Sequence, residues 1–422
     1  MRSLLPVLIA AAVVGCASQH RDVTGALPTG LLAGDSVLSP FYAVPPSLPD
    51  RPGVMLRTEA IAAQPELTAA ARQERIFYTS TDARWKSGVI PVSGTLYLPR
   101  GQAPSGGWPL VAWAHGTLGV ADVCAPSWVG HKPRDATYIN RWLQEGFAVV
   151  ATDYQGLGGP GPHPYLFWEA EGRSVVDAVR AVLAANPSTI ANEVVITGQS
   201  QGSASSIGAS RIAPTYAPEL KLRATIATGV LPEFPEGPIK LPELLGGMGT
   251  TRYTMLRLVG GSLRDGEPSA DELVNDQARP LLTMARETCG DGIRAYEQQH
   301  GIDMRNAFTV APTRLTALML PATEMSMVRM PAPLFLGTGL ADRTIPPQHQ
   351  YAAAAALCAA GNPLAWKTYP GITHNGGVNA AFDDELAFVR AARSGRPTTS
   401  NCDRLVKPDA PQPATPGVPF ND

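Results

Sequence analysis

The sequence predicts an α/β fold with a mostly parallel central sheet flanked by helices. Three observations carry that expectation. Short apolar runs of roughly 4 to 8 residues recur along the chain, each stopped by Gly or Pro. Helical patterns lie between them, as in "RSVVDAVRAVLAAN", with apolar residues at i, i+3 and i+4 spacing. The alternation implies right-handed βαβ units, and a sheet covered on both faces explains why its strands are mostly apolar. Between Leu231 and Glu324 the rhythm stops: helical stretches and loops continue, but no clear strand appears. That segment sits between two sheet strands and is read as an inserted helical cap.

The elements follow in order. The chain opens "MRSLLPVLIAAAVVGCASQ", with one arginine, a short apolar run, then Gly15-Cys16. About 11 apolar residues cannot span a bilayer, which needs roughly 20; they suit the core of a secretory signal, residues 1–15. "VVGC" resembles a bacterial lipobox, which implies Cys16 as a lipidated mature N-terminus. Ala17 is not the aspartate of inner-membrane retention, so the expected location is the outer membrane, with a periplasmic or secreted protein as the other outcome. Residues 16–60 are rich in Pro, Gly and Ala and read as a tether and irregular arm. The core follows in residues 61–230 and 325–402, with the cap at 231–324 between. "SGTLYLP" is an early antiparallel strand. "PLVAWAHGT", "FAVVATDYQG", "NEVVITGQSQG", "LRATIATG", "APLFLGTGLAD" and "LAWKTYPGITH" are the parallel series. Residues 403–422 form a proline-rich tail.

The 422 residues are 44% hydrophobic and 17% charged, with a formal net charge of −2, which suits a large folded core and gives no electrostatic footprint for nucleic acid. No lysine-rich run marks a polybasic membrane patch, so membrane contact is expected only through the anchor. Beyond Cys16 there are four cysteines, Cys124, Cys289, Cys358 and Cys402. In an exported chain an even number favours disulfides, and four allow three connectivities. Without a C-x-x-C or H-x-x-x-H pair, no metal site is expected.

"GQSQG" carries the chemistry. The pattern G-x-S-x-G alone is weak, at roughly 0.2 matches by chance in a chain of this composition. Here it follows the strand Val194 to Thr197 and precedes a helix-compatible run, the context of a nucleophile elbow with Ser200 at its tip. Gly198 and Gly202 flank it where a Cβ would clash. A serine hydroxyl needs a base. In this arrangement the order is serine, acid, histidine. His374 follows the last strand on the glycine-rich loop "GITHNGG"; His349 looks like the start of a helix. Asp342, in "LFLGTGLADRTIPP", is the acid that would orient the imidazole, or else a loop aspartate capping the next helix. Asp153 precedes the serine and reads as structural. For the developing oxyanion, one backbone N–H follows the nucleophile, at Gln201, and another comes from "HGT", at Thr117. His115 reads as structural and His163 as a turn histidine.

"AHGTLGVADVCAPS", "DYQGLGGPGPHPY", "EGRSVVDAVRA", "GQSQG", "TYAPEL", "GLADRTIPP" and "GITH" together resemble the secretory lipase family of α/β-hydrolases, over roughly residues 60 to 400. The resemblance implies the α/β-hydrolase fold with a helical cap over the acyl site. It implies a triad of Ser200, Asp342 and His374, oxyanion donors at Thr117 and Gln201, and disulfides Cys124–Cys289 and Cys358–Cys402. It implies hydrolysis of a small-molecule or lipid ester without a cofactor. The lipobox departs from the fungal secretion arrangement, and the cap does not align by eye. Other outcomes for the same residues are an acyltransferase or peptidase on the same triad, or a catalytically idle lipoprotein that binds lipid or a partner.

Overall fold

A computed structural model describes residues 25–239 and 251–422. The signal segment and Cys16 lie outside the described residues. Nine strands form one sheet in the order β1-β2-β3-β5-β4-β6-β7-β8-β9. They are β1 (Met55–Ala60), β2 (Ala70–Thr81), β3 (Val89–Pro99), β4 (Trp108–Ala114), β5 (Ala148–Thr152), β6 (Ile190–Gln199), β7 (Leu222–Thr228), β8 (Leu334–Gly339) and β9 (Leu364–Tyr369). β1, β2 and β3 are an antiparallel meander, β3 meets β5 antiparallel, and every pairing from β5 to β9 is parallel. The expected strands are all present. β1 and β2 are additional: β1 lies within the stretch read as an irregular arm, and β2 precedes the first strand expected.

The parallel strands are mostly apolar because both faces of the sheet are largely covered. Alternate residues of β4 serve opposite cores: Val111 and Trp113 pack on one side, Leu110, Ala112 and Ala114 on the other. Helices α1 (Pro126–Val129), α2 (Pro133–Gln144), α3 (Trp168–Ala185) and α4 (Gln201–Tyr216) connect the first half of the sheet. Between β7 and β8 run α5 (Thr251–Val259), α6 (Ala270–Leu273), α7 (Arg279–Glu287), α8 (Gly290–His300) and α9 (Pro312–Leu318). They enclose a core of their own, including Leu256, Leu281, Ile293 and Leu315. The two ends of this insertion meet: Glu233 pairs with Glu324, and the Met325 N–H donates to the Glu233 carbonyl at 2.8 Å. α10 (Pro347–Ala359), α11 (Gly377–Ala380) and α12 (Phe382–Arg393) complete the fold.

Both disulfides join the expected partners. Cys124–Cys289 ties the loop after β4 to the insertion, with Cα atoms 5.5 Å apart. Cys358–Cys402 ties α10 to the root of the C-terminal tail, at 5.4 Å. Among the described residues no helix is long and apolar enough to cross a membrane.

Candidate active site

Ser200 joins β6 to α4 with φ 59° and ψ −119°. A non-glycine residue at positive φ is strained and persists only where its surroundings over-determine it. The surroundings here are backbone. A Cβ on Gly198 would stand 1.9 Å from the Gly202 carbonyl oxygen, and one on Gly202 would stand 1.9 Å from the Ala114 carbonyl oxygen. Both glycines are therefore required for strand, turn and helix to pack this closely. The same closeness lays the first turn of α4 against the end of β4. The loop His115–Thr117 thus runs beside Gln201. The Ser200 N–H donates to the Thr228 carbonyl at 3.0 Å, which holds the tip to β7.

The next residue, Gly229, connects the serine to the histidine loop. Its φ is +55°, and a Cβ there would lie 2.7 Å from His374 Cε1. The imidazole packs directly on this glycine. His374 Nδ1 hydrogen-bonds Asp342 Oδ2 at 2.8 Å. With Nδ1–H donating to the carboxylate, Nε2 keeps its lone pair. Asp342 is buried and pairs with the histidine, and it does not cap α10, which starts after Pro346 with no side-chain cap. Oδ1 accepts the backbone N–H groups of Thr344 and Ile345 at 2.9 and 2.8 Å, closing a turn in the loop, while Oδ2 faces the histidine.

A further residue, not singled out in the sequence, holds that carboxylate. Gln350 Nε2 donates to Asp342 Oδ2 at 2.9 Å. Its own Oε1 accepts from Thr338 Oγ1 and the Val230 N–H. No motif marks Gln350; the only signal was its position on the helix after "DRTIPP".

Of the two residues expected as oxyanion donors, Thr117 pairs its Oγ1 with the Tyr165 hydroxyl at 2.7 Å. The Gln201 side chain points into a buried cluster: Nε2 donates to Glu171 Oε1 and to His163 Nε2, each at 2.8 Å. His163 Nδ1 donates to the Gln155 carbonyl at 2.9 Å, so Nε2 is the acceptor. Burial pushes the His163 pKa down to about 3 and the Glu171 carboxyl up to about 7. His163 is thus more than a turn histidine: buried and fixed, it supports Gln201 as a neutral ring. "GPGPHPY" hides this, because such a run reads as surface loop. His115 is buried between the Gly116 and Asp153 carbonyls, in keeping with a structural role, and burial lowers its pKa. Asp153 accepts from Ser93 Oγ at 2.6 Å and from Ser127, away from His374. His349 begins α10 and is bonded to the Leu231 carbonyl at 2.9 Å.

A strained strand-to-helix serine turn at the carboxyl end of a mostly parallel sheet, with an imidazole–carboxylate pair on the following loops, defines an α/β-hydrolase. Residues 132–401 match the model of the secretory lipase family, and the chain belongs to that family. The structure resembles Candida antarctica lipase A in its closed state, with TM-score 0.67 and 18% identity over 90% of this chain and 92% of that one. It also resembles a putative hydrolase of Legionella pneumophila (TM-score 0.63, 16% identity, 82% of this chain and 100% of that one). The rice cell wall degrading esterase LipA from Xanthomonas oryzae gives TM-score 0.59 and 18% identity over 81% of this chain and 97% of that one. At these identities the likenesses speak to the fold. No curated protein matches the sequence. Membership of the family makes the protein a carboxylic-ester hydrolase, and a family of secreted enzymes fits an exported chain.

Proposed function

We propose that the protein is a serine esterase or lipase that works through an acyl-enzyme. Ser200 Oγ attacks the ester carbonyl while His374 Nε2 takes the hydroxyl proton. Asp342 holds the imidazole in the Nδ1–H tautomer and stabilises the imidazolium. The backbone N–H groups of Thr117 and Gln201 hold the tetrahedral oxyanion. The intermediate collapses as the imidazolium protonates the leaving alcohol, giving a Ser200 ester. Water, activated by the same imidazole, then attacks that ester and releases the acid. The helical insertion acts as the cap over the acyl site and sets which acyl groups enter.

One observation supports this reading above the others. The His374–Asp342 pair rests on Gly229, next to the residue whose carbonyl holds the Ser200 backbone. The test is Ser200→Ala, with p-nitrophenyl ester turnover expected to fall by about 10⁶ because nucleophile and base act as one unit. Wild-type turnover in that variant sinks the mechanism. Cleavage of amides without esters would instead make it a peptidase, and failure of the wild-type protein to take a fluorophosphonate label would leave an idle lipoprotein.

We also propose that Cys16 carries the lipid that holds the enzyme at the outer membrane. The basis is "VVGC" after the short apolar run. Cys16→Ser should move activity from the membrane to the soluble fraction; unchanged fractionation counts against the anchor.

A further inference from the structure

The proline-rich tail does not trail away from the protein. Its root is fixed by the Cys358–Cys402 disulfide and by Asn401, whose side chain exchanges hydrogen bonds with the backbone of Trp366 in β9. From there it returns to the two loops that carry the acid and the base. The Gln412 N–H donates to the Leu340 carbonyl at 2.7 Å, two residues before Asp342. Gln412 Oε1 accepts the Gly371 N–H at 3.2 Å. The Thr415 N–H donates to the Gly371 carbonyl at 2.8 Å.

Asn421 makes the tightest grip. Its Oδ1 accepts the Thr373 N–H at 2.7 Å, the residue immediately before His374. Its Nδ2 donates to the carbonyls of Gly371 and Thr415 at 2.9 and 2.8 Å. One side-chain amide thus satisfies the histidine loop on two backbone groups and fastens the tail to itself. The loop is shaped to admit it: a Cβ on Gly376 would stand 2.5 Å from Asn421 Oδ1, and one on Gly371 would stand 2.0 Å from Thr415 Oγ1. Phe420, beside Asn421, holds φ 60°. A non-glycine residue in that conformation is strained and needs local contacts to sustain it.

From this geometry we infer that residues 409–422 are a positioning strap for the catalytic base, with Asn421 as its principal positioning residue. The inference rests on the assignment of His374 as that base. Asp342 holds the imidazole from the ring side. The strap holds the same residue from the backbone side, and through Leu340 it couples the acid loop to the histidine loop. Asn421 touches neither substrate nor reacting atoms; its effect passes through the placement of His374. A displacement of about 1 Å in a catalytic group can cost roughly 100-fold in rate.

The experiment uses the full-length protein with Asn421→Ala, Asn421→Asp, a stop after Pro408, and His374→Ala as reference. For Asn421→Ala we expect kcat on a p-nitrophenyl ester to fall by about 10- to 100-fold, while KM stays near wild type and the melting temperature changes little. The low-field proton resonance of the His374–Asp342 hydrogen bond should shift or broaden. Asn421→Asp keeps the acceptor for the Thr373 N–H and loses the donor, and should recover part of the rate. Loss of turnover in His374→Ala with wild-type kcat and resonance in Asn421→Ala overturns the strap but keeps the base. Full activity in His374→Ala overturns the base itself. If the stop after Pro408 folds and lowers KM or raises turnover, the tail covers the substrate entrance and the strap is wrong. If that truncation does not fold, Asn421→Ala alone decides.

Discussion

The nine-stranded core and the insertion between β7 and β8 are held by different means. At the elbow of the core, main chain packs on main chain. The elbow closes because Gly198 and Gly202 let carbonyl oxygens come within about a covalent bond's reach of where a Cβ would stand. In the insertion, short helices are held by side chains. A capping box joins Ser269 and Glu272. Asp271 pairs with Arg286 across α6 and α7. Arg84, from the core, donates to the Gly261 and Leu263 carbonyls at 2.9 Å each. Backbone packing tolerates no substitution at the contact, whereas side-chain pairing spreads its strength over many small, replaceable terms.

That difference predicts unequal responses to one added methyl group. Gly202→Ala forces a Cβ to 1.9 Å from the Ala114 carbonyl oxygen, with no flexible side chain to yield. Either strand or helix must move, and Ser200 with it. The expected outcome is loss of soluble protein or a fall in kcat of more than about 100-fold. Gly266→Ala, in the insertion, meets nothing within 4 Å and strains only its φ of +85°. It should cost about 1 kcal/mol and leave kcat alone, as thermal melting and turnover would show. Equal losses in the two variants would break the distinction.

The disulfides sharpen it. Cys124–Cys289 closes a sequence separation of 165 residues and joins insertion to core, whereas Cys358–Cys402 closes 44 within the core. Loop-closure entropy makes the longer cross-link worth about 1 kcal/mol more, within the usual range of roughly 2–5 kcal/mol for losing a native bridge. Removing the first should also loosen the loop proposed to hold the oxyanion, because the Gly290 N–H donates to the Leu118 carbonyl one residue beyond Thr117. Paired Cys→Ser variants compared by denaturant unfolding should show the larger stability loss for Cys124/Cys289. A larger loss for Cys358/Cys402 would show that loop length does not set the ranking.

The same contrast explains what could be read in the sequence. β4 through β9 were legible because largely buried strands leave mostly apolar runs ended by glycine or proline. β1, "MLRTEA", and the first half of β2, "AARQER", were not, because a partly exposed meander carries charge within the strand. The strand–turn–helix elbow at Ser200 and the loop positions that pair Asp342 with His374 were legible because the elbow's glycines and the chain order impose a pattern. Gln350, Glu171 and Asn421 were not, since each acts by meeting a partner from a distant segment and any polar residue in a loop or helix looks the same beforehand. The insertion's helices were expected as a class, but their contacts depend on pairs such as Asp271 with Arg286 that no periodicity marks.

Carboxylates in the two regions should titrate with opposite sign. Glu385, on α12, is buried and accepts from the Tyr138 hydroxyl at 2.6 Å; burial pushes its pKa up to about 8. A folded pKa above the unfolded one favours the folded state while the group stays protonated. That contribution is fully present below about pH 4.3, the unfolded glutamate value, and is lost as pH rises through about 8. Glu385→Gln cannot ionise, so the variant should gain stability over wild type as pH rises from about 5 to 8. In the insertion the Arg286 guanidinium beside Asp271 holds that carboxyl below its ordinary range. A depressed folded pKa stabilises above the unfolded value of about 3.9 and is lost as pH falls through the folded one. Asp271 is 44% exposed, and solvent screening reduces the pair to under about 1 kcal/mol. Asp271→Asn should therefore be slightly less stable than wild type at pH 7, and equal to it once acid has protonated the wild-type carboxyl. Urea midpoints measured at several pH values test both slopes together. Parallel pH dependence in the two variants would show that the buried core carboxylate and the guanidinium-paired one do not differ in the way their surroundings require.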